Sequence, residues 1–313
     1  MIVPFAFIFP GQGSQSVGML AAWGDHPAVA QTLAEASAAL GEDIGKLIAE
    51  GPKEALELTT NTQPVMLTAA IACYRAWRAE GGGLPAAVAG HSLGEYTALV
   101  ASGSLTLADA LPLVRFRAQA MQQAVPVGAG AMAAILGLDA AVVREACAAV
   151  AAASGEVVEP ANFNDPKQTV IAGSKAGVER ACIALKAQGA KRALILPVSA
   201  PFHSSLMKPA AERLKVRLAA TPFAPPAIRV VNNVDVLCES DPQRIRDALY
   251  RQAFAPVRWV EVVQAMRAQG MTHVVECGPG RALAGMVKRI DADIVTATVL
   301  DGESLAEARS LLA

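Results

Sequence analysis

The five residues Gly90-His91-Ser92-Leu93-Gly94 constrain the fold more than any other stretch, because they join a short apolar run, 86–89, to a helix-like stretch, 95–101. A Gly-x-Ser-x-Gly sequence in that setting turns the backbone so sharply from strand to helix that glycines are needed on either side of the serine. The turn leaves the serine hydroxyl exposed at a helix N-terminus. The backbone N–H of the next residue, Leu93, then points at an oxyanion. On its own the pentapeptide is also a plain Gly/Ser turn; the strand before it and the helix after it argue for an elbow.

The rest of the chain fits a parallel sheet with crossover helices. Phe5–Phe9 is a second short apolar strand that ends in a glycine-containing turn, and ligands of such sheets collect at the carboxyl ends of strands. From Gly128 the rhythm changes: a strand at 131–136, a helix at 139–153, strands at 157–164 and 169–172, a helix at 175–188 and a strand at 193–198. That β-α-β-β-α-β order predicts a ferredoxin-like small domain over 128–198, inserted into a large domain made of 1–127 and 199–313. A helix at 206–219, a strand at 228–232, helices at 242–253 and 257–268, a strand at 273–276 and one final helix complete the large domain. The expected class is therefore α/β, an α/β-hydrolase-like large domain with a parallel central sheet plus the insert.

Composition narrows the partners. Of 313 residues 53% are hydrophobic and 18% charged, a globular balance in a chain long enough to bury a core unaided. Lys and Arg total 27 against 28 Asp and Glu, so a net charge of −1 gives no general attraction to nucleic acid or to a membrane surface. The cysteines Cys73, Cys147, Cys182, Cys238 and Cys277 are odd in number and lack metal spacing, which predicts reduced thiols and a cytoplasmic location. The apolar run 2–9 has no basic residues before it and stops at Pro10-Gly11, so it reads as a buried strand, not a signal peptide or a span.

A serine nucleophile needs a base, and the chain offers only His26, His91, His203 and His273. His26 precedes a proline at a helix start, and His273 begins an apolar strand. His91 is expected to point away from Ser92 if strand alternation persists through the turn. His203, in a loop after the last strand of the insert, is the best candidate by elimination. Phe9-Pro10-Gly11-Gln12-Gly13-Ser14-Gln15 resembles a dinucleotide fingerprint but has Ser16 at the third glycine, so that reading is rejected. Lying beside the elbow, the turn can instead supply a second oxyanion donor, the N–H of Gln12. Arg117 sits among Leu113, Val114, Ala120 and Met121 on the apolar face of a helix over 107–124, whereas Arg115 lies nearer the polar edge. A guanidinium on a buried face needs an anion, either an internal carboxylate or a substrate carboxylate.

With these elements placed, the chain resembles the malonyl-CoA:acyl carrier protein transacylases of bacterial fatty acid synthesis and the acyltransferase domains of polyketide synthases over essentially its full length. The resemblance runs through FPGQGSQ from Phe9, TQPVML from Thr62, GHSLGEYTALVASG from Gly90, LVRFRAQAMQ from Leu113, GAMAAILGL from Gly130, NFNDPKQTVIAG from Asn162, PFHSSLM from Pro201 and ECGPGRALAGM from Glu276. It implies malonyl transfer from coenzyme A to a transiently bound, acidic acyl carrier protein by a monomer, through a malonyl-Ser92 intermediate. His203 would be the base, Gln12 and Leu93 N–H groups the oxyanion hole, and Arg117 the malonyl carboxylate site. The Gln252 main-chain carbonyl would orient His203 in place of an acidic third member. Gln63 and Asn162 match positions near the family pocket, and Phe202 fits the pattern for malonyl over branched acyl groups. Ala118 departs from the family's usual glycine. The resemblance implies no metal or other cofactor. Rival readings are a polyketide-pathway or malonate decarboxylase acyltransferase, and an esterase using His273 in the order Ser, acid, His.

Overall fold

The computed structural model describes residues 3–198 and 200–313; the expected run start at Ile2 and domain boundary at residue 199 lie outside the described residues. The chain begins with β1 (Phe5–Phe9), then helices α1 (Pro27–Leu40), α2 (Ile44–Glu50), α3 (Lys53–Glu57) and α4 (Thr59–Ala79). The elbow region follows as β2 (Ala87–Gly90), α5 (Leu93–Ala101) and α6 (Leu107–Gln122). Next come β3 (Gly130–Leu136), α7 (Ala140–Ser154), β4 (Val158–Asp165), β5 (Gln168–Ser174), α8 (Lys175–Ala187) and β6 (Arg192–Ile195). The chain ends with α9 (Lys208–Ala220), β7 (Arg229–Val231), α10 (Pro242–Gln252), α11 (Trp259–Ala268), β8 (His273–Cys277), α12 (Ala282–Ile290), β9 (Val295–Val299) and α13 (Gly302–Leu312).

Among the described residues two sheets result: a parallel one ordered β7-β2-β1-β8-β9 and an antiparallel one ordered β4-β5-β3-β6. The central strand β1 shows why the first sheet is covered on both faces. Its Phe5, Phe7 and Phe9 enter one core cluster, where Phe7 meets Trp77 and Tyr74 edge to face at 5.3 and 5.8 Å, while Ala6 and Ile8 enter another with Val262 and Val274. Parallel strands with helices on both faces become continuous apolar runs, as FAFIF is. In the antiparallel sheet one face packs on α7 and α8 through Ile135, Val143, Ile171 and Val178. The other face carries Met132, Ala134, Val170 and Ala172, with Leu196 and Phe202 packed against it.

Three expectations change. The single final helix is two, α12 and α13, with β9 between them, because the alternating VTATV segment adds a fifth parallel strand beside β8. The strand expected over 193–198 ends at Ile195, since Pro197 has no N–H to extend the ladder. The helix expected from 257 begins at Trp259, because Val257 instead bridges to Asn162 of β4.

The elbow turns on backbone contact. A β-carbon on Gly94 would lie 2.1 Å from the Phe9 carbonyl oxygen, and one on Gly90 would lie 1.9 Å from the Gly94 carbonyl group. Neither contact is with a flexible side chain that could yield. Gly94→Ala is therefore expected to cost about 3 kcal/mol or more. Gly103→Ala, at φ 77° with open space around it, should cost only about 1 kcal/mol, the conformational term alone. Urea unfolding of the two variants checks the difference, and equal costs would show that the elbow can relax.

Candidate active site

Ser92 sits between β2 and α5 with φ 52° and ψ −106°, outside the ordinary regions for a side-chain-bearing residue. Asn233, after β7, holds this geometry. Its Oδ1 accepts from Ser92 N at 2.8 Å and its Nδ2 donates to the Gly90 carbonyl at 2.8 Å. Because Leu93 is the first residue of α5, its N–H has no intrahelical acceptor and stands beside the serine.

His203 arrives from the loop that leaves the small sheet, at φ 61° and only 4% exposed. Its Nε2 lies 2.7 Å from Ser92 Oγ and its Nδ1 lies 2.9 Å from the Gln252 carbonyl oxygen. A carbonyl can only accept, so Nδ1 carries the proton and Nε2 is the acceptor facing the serine hydroxyl. Burial, reinforced by the positive charge of Arg117, pushes the imidazole pKa down to about 3, which keeps it neutral.

Arg117 is 2% exposed on the inner side of α6, and Ala118 beside it is fully buried without disturbing it. Its guanidinium donates to Gln63 Oε1 at 2.8 Å, to Gln252 Oε1 at 3.0 Å and to Ser92 Oγ at 3.2 Å. All three acceptors are neutral, and burial lowers the guanidinium pKa from its usual value. Arg115, two residues earlier on the same helix, instead forms a forked pair with Glu42 at 2.7 and 3.0 Å on the outer edge.

These groups line one cavity of about 140 Å³ with Gln12, His91, Asn162 and Phe202. Its roof comes from the small sheet and the segment after it: Met132, Leu196 and Val198. The Gln12 side chain is tied back to Thr59 at 2.9 Å. A larger cavity of about 690 Å³ shares Gln12, Leu196, Val198 and Phe202 with the first and runs toward Gln15 and Leu58. Gln12, Gln63, Ser92, Leu93, Arg117, Asn162, Phe202, His203 and Gln252 thus all come together.

Among the described residues His91 shares no side-chain partner with Ser92: its ring packs on Trp259 at 5.5 Å, whereas the serine hydroxyl meets His203 and Arg117. The strand stops at Gly90, and in the turn His91 swings into the cavity wall, its Nε2 2.8 Å from Asn164 Oδ1. His273 starts β8 beside Phe5, at the opposite end of the sheet from Ser92, on the order of 15 Å away by strand length. The esterase-like order is thereby unavailable. Two residues escaped the sequence reading. Asn233 left no signal beyond an Asn pair at a strand end. Glu95 did leave one, an acid in an otherwise apolar helix start, and it is 2% exposed. Its Oε2 accepts from Asn233 N at 2.9 Å and Gln252 Nε2 at 3.0 Å, and burial pushes its pKa up to about 7 against the pull of those bonds.

Held neutral, His203 ties stability to acid. Its ordinary pKa is about 6.5, so between about pH 6.5 and 3 the unfolded chain takes a proton that the folded site refuses, and stability falls as pH is lowered. His91, shifted down by burial, contributes in the same sense. In His203→Asn the free energy of unfolding should decline less steeply between about pH 6.5 and 4 than in the parent. Parallel slopes in urea titrations would show that the imidazole is not held neutral.

Residues 6–301 match the acyl transferase domain family. The malonyl CoA-acyl carrier protein transacylase of Escherichia coli strain K12 is 56% identical over 301 residues, covering 96% of each chain. The solved acyl-carrier-protein S-malonyltransferase of Burkholderia pseudomallei is 64% identical with a TM-score of 0.97, covering 98% of this chain and 100% of that one. A malonyl-transacylase solved in complex with a type II PKS acyl carrier protein is 50% identical with a TM-score of 0.96, covering 98% and 99%.

Proposed function

Because this chain belongs to the acyl transferase domain family, we propose that it transfers malonyl from malonyl-CoA to the phosphopantetheine thiol of an acyl carrier protein, supplying fatty acid synthesis. The observation that carries this reading is a buried Arg117 whose hydrogen bonds end on neutral oxygens, 3.2 Å from a serine hydroxyl that is itself 2.7 Å from a neutral histidine. A thioester acyl group bearing a free carboxylate satisfies both ends of that arrangement.

In the first half-reaction Ser92 Oγ gives its proton to His203 Nε2 and attacks the thioester carbonyl carbon. The oxyanion is held by the Gln12 and Leu93 N–H groups, next to the positive end of α5. Collapse breaks the carbon–sulfur bond, His203 returns the proton to the coenzyme A thiolate, and malonyl remains as an ester on Ser92. In the second half-reaction the carrier thiol gives its proton to His203, attacks the ester carbonyl and releases Ser92 Oγ, which regains the proton. The Gln252 carbonyl keeps the imidazole in the right tautomer, as a carboxylate would, but without adding charge. Gln63 aims Arg117, while Asn162 and Phe202 shape the pocket. Every step is proton or acyl transfer, so the proposal includes no metal or other cofactor.

Finer features belong to the same proposal. The large unit reads as α/β-hydrolase-like and residues 128–198 as a ferredoxin-like insert; the order β4-β5-β3-β6 with α7 and α8 on one face supports the latter. The protein acts as a cytoplasmic monomer that meets an acidic carrier transiently. Its five unpaired cysteines agree with that location, and among the described residues no helix is long and apolar enough to cross a membrane. Service to a polyketide carrier is the second reading, favoured by the relative solved with one.

Intact-mass spectrometry after mixing with malonyl-CoA should show one malonyl adduct on Ser92 and none in Ser92→Ala; an adduct elsewhere removes the assignment. His203→Ala should lose about 10²- to 10⁴-fold in kcat, the range of general base catalysis. Arg117→Ala should lose on the order of 10² in kcat/KM for malonyl-CoA and much less for acetyl-CoA. Arg115→Ala, which breaks only the outer pair with Glu42, should keep the preference. An unchanged malonyl-to-acetyl ratio in Arg117→Ala would make that arginine structural.

A further inference from the structure

We infer that Glu95 is a positioning residue that sets acyl selectivity by fixing the side-chain amide of Gln252, which in turn aims Arg117; the inference rests on the reading of Arg117 as the carboxylate site. Gln252 is fully buried and its two ends do different work. Its backbone carbonyl takes the proton of His203 Nδ1 at 2.9 Å, while its side-chain Oε1 takes an Arg117 N–H at 3.0 Å. The side-chain Nε2 has two protons and two acceptors, the Ser92 carbonyl and Glu95 Oε2, each at 3.0 Å.

The donor and acceptor inventory leaves this amide one orientation. Arginine has only donors and an ionised carboxylate only acceptors. Were the amide reversed, its NH₂ would face the Arg117 guanidinium and its oxygen would face Glu95 Oε2, the second contact repulsive whenever that carboxyl is ionised. Glu95 is itself held from a second side, by Asn233 N at 2.9 Å, and Asn233 also bonds Ser92 N. The carboxylate is therefore anchored to the same residue that shapes the elbow, and it does not touch the acyl cavity. No other carboxylate engages Gln252 or Arg117 by hydrogen bond among the described residues. Its place in the first turn of α5 and the nearby charge of Arg117 both favour the ionised form, against the burial that raises its pKa to about 7.

Two substitutions separate reach from charge. Glu95→Gln keeps an acceptor oxygen at the end of an arm of the same length but removes the charge. Glu95→Asp keeps the charge but withdraws the oxygen by one methylene from Gln252. The readout is the ratio of malonyl to acetyl loading on Ser92, measured as kcat/KM from each thioester, in the full-length chain and again in an Arg117→Ala background. The expected result is that Glu95→Asp lowers the ratio about 10-fold, the loss of one hydrogen bond to a charged group. Glu95→Gln should stay within about threefold of the parent, and Glu95→Asp should add nothing once Arg117 is gone. A loss of ratio in Glu95→Gln, a normal ratio in Glu95→Asp, or multiplying effects of Glu95→Asp and Arg117→Ala would each overturn the inference. Arg117→Ala alone tests the reading beneath it: a ratio that falls there but not in Glu95→Asp leaves the carboxylate site standing and removes only the role of Glu95.

Discussion

Two backbone segments that approach too closely for any side chain between them hold the whole site together. With Gly94 against the Phe9 carbonyl and Gly90 against Gly94, the start of α5 is pressed onto the ends of β1 and β2. Ser92 then has nowhere to go but out, at φ 52°. Everything that reads the serine is referenced to that contact: Asn233 clamps the turn, α5 presents its first N–H groups, and the turn after β1 carries Gln12 to the same opening. The strain at Ser92 persists because three separate hydrogen bonds over-determine it: Ser92 N–H donates to Asn233 Oδ1, Asn233 Nδ2 donates to the Gly90 carbonyl, and Gln252 Nε2 donates to the Ser92 carbonyl.

The electrostatics follow from excluding water around that turn. A buried arginine beside a buried histidine would be a poor arrangement if both were charged, and Arg117 helps keep His203 neutral. A neutral imidazole is the form that can take a proton from the serine. An acidic third member at Nδ1 would work against this by drawing the imidazole pKa upward, and the Gln252 carbonyl orients the ring without doing so. The acid that Arg117 feels through space is Glu95, one amide removed and part ionised near neutrality with its pKa raised to about 7, and among the described residues no carboxylate hydrogen-bonds the guanidinium itself.

How much of this was legible in the sequence depends on whether a signal is local. The elbow was, because its glycines, strand and helix lie within a few residues of one another. Arg117 was, because a cation flanked by Leu113, Val114, Ala120 and Met121 at helical spacing has to be inside. His203 emerged because only four histidines exist and three sit in unsuitable places. β9 was missed because four half-buried residues and one buried one between two helices give a weak period. Glu95, Asn233 and the side chain of Gln252 form a network across more than 130 residues of chain, with separations of 138 and 157. No pattern in a single sequence reports such contacts.

The contrast between floor and roof bears on why transfer should outrun hydrolysis. Ser92, His203, Arg117 and Gln12 supply polar groups from the large sheet's side, whereas Met132, Leu196, Val198 and Phe202 close the cavity with apolar surface. A space of about 140 Å³ has room for a few waters at about 30 Å³ each, but an acyl group with its carboxylate on Arg117 fills part of that volume and occupies the polar partners a water would need. Any attacking molecule must also reach His203 Nε2, since that nitrogen takes the proton in both halves of the proposed reaction. The larger cavity of about 690 Å³ meets the small one along Gln12, Leu196, Val198 and Phe202, so a long, slender arm can enter in line with the ester while its own apolar stretches lie against that roof. A water arriving by the same route gains nothing from those contacts. The preference for a thiol thus follows from where the binding surface lies, with the catalytic groups themselves indifferent to which nucleophile they activate.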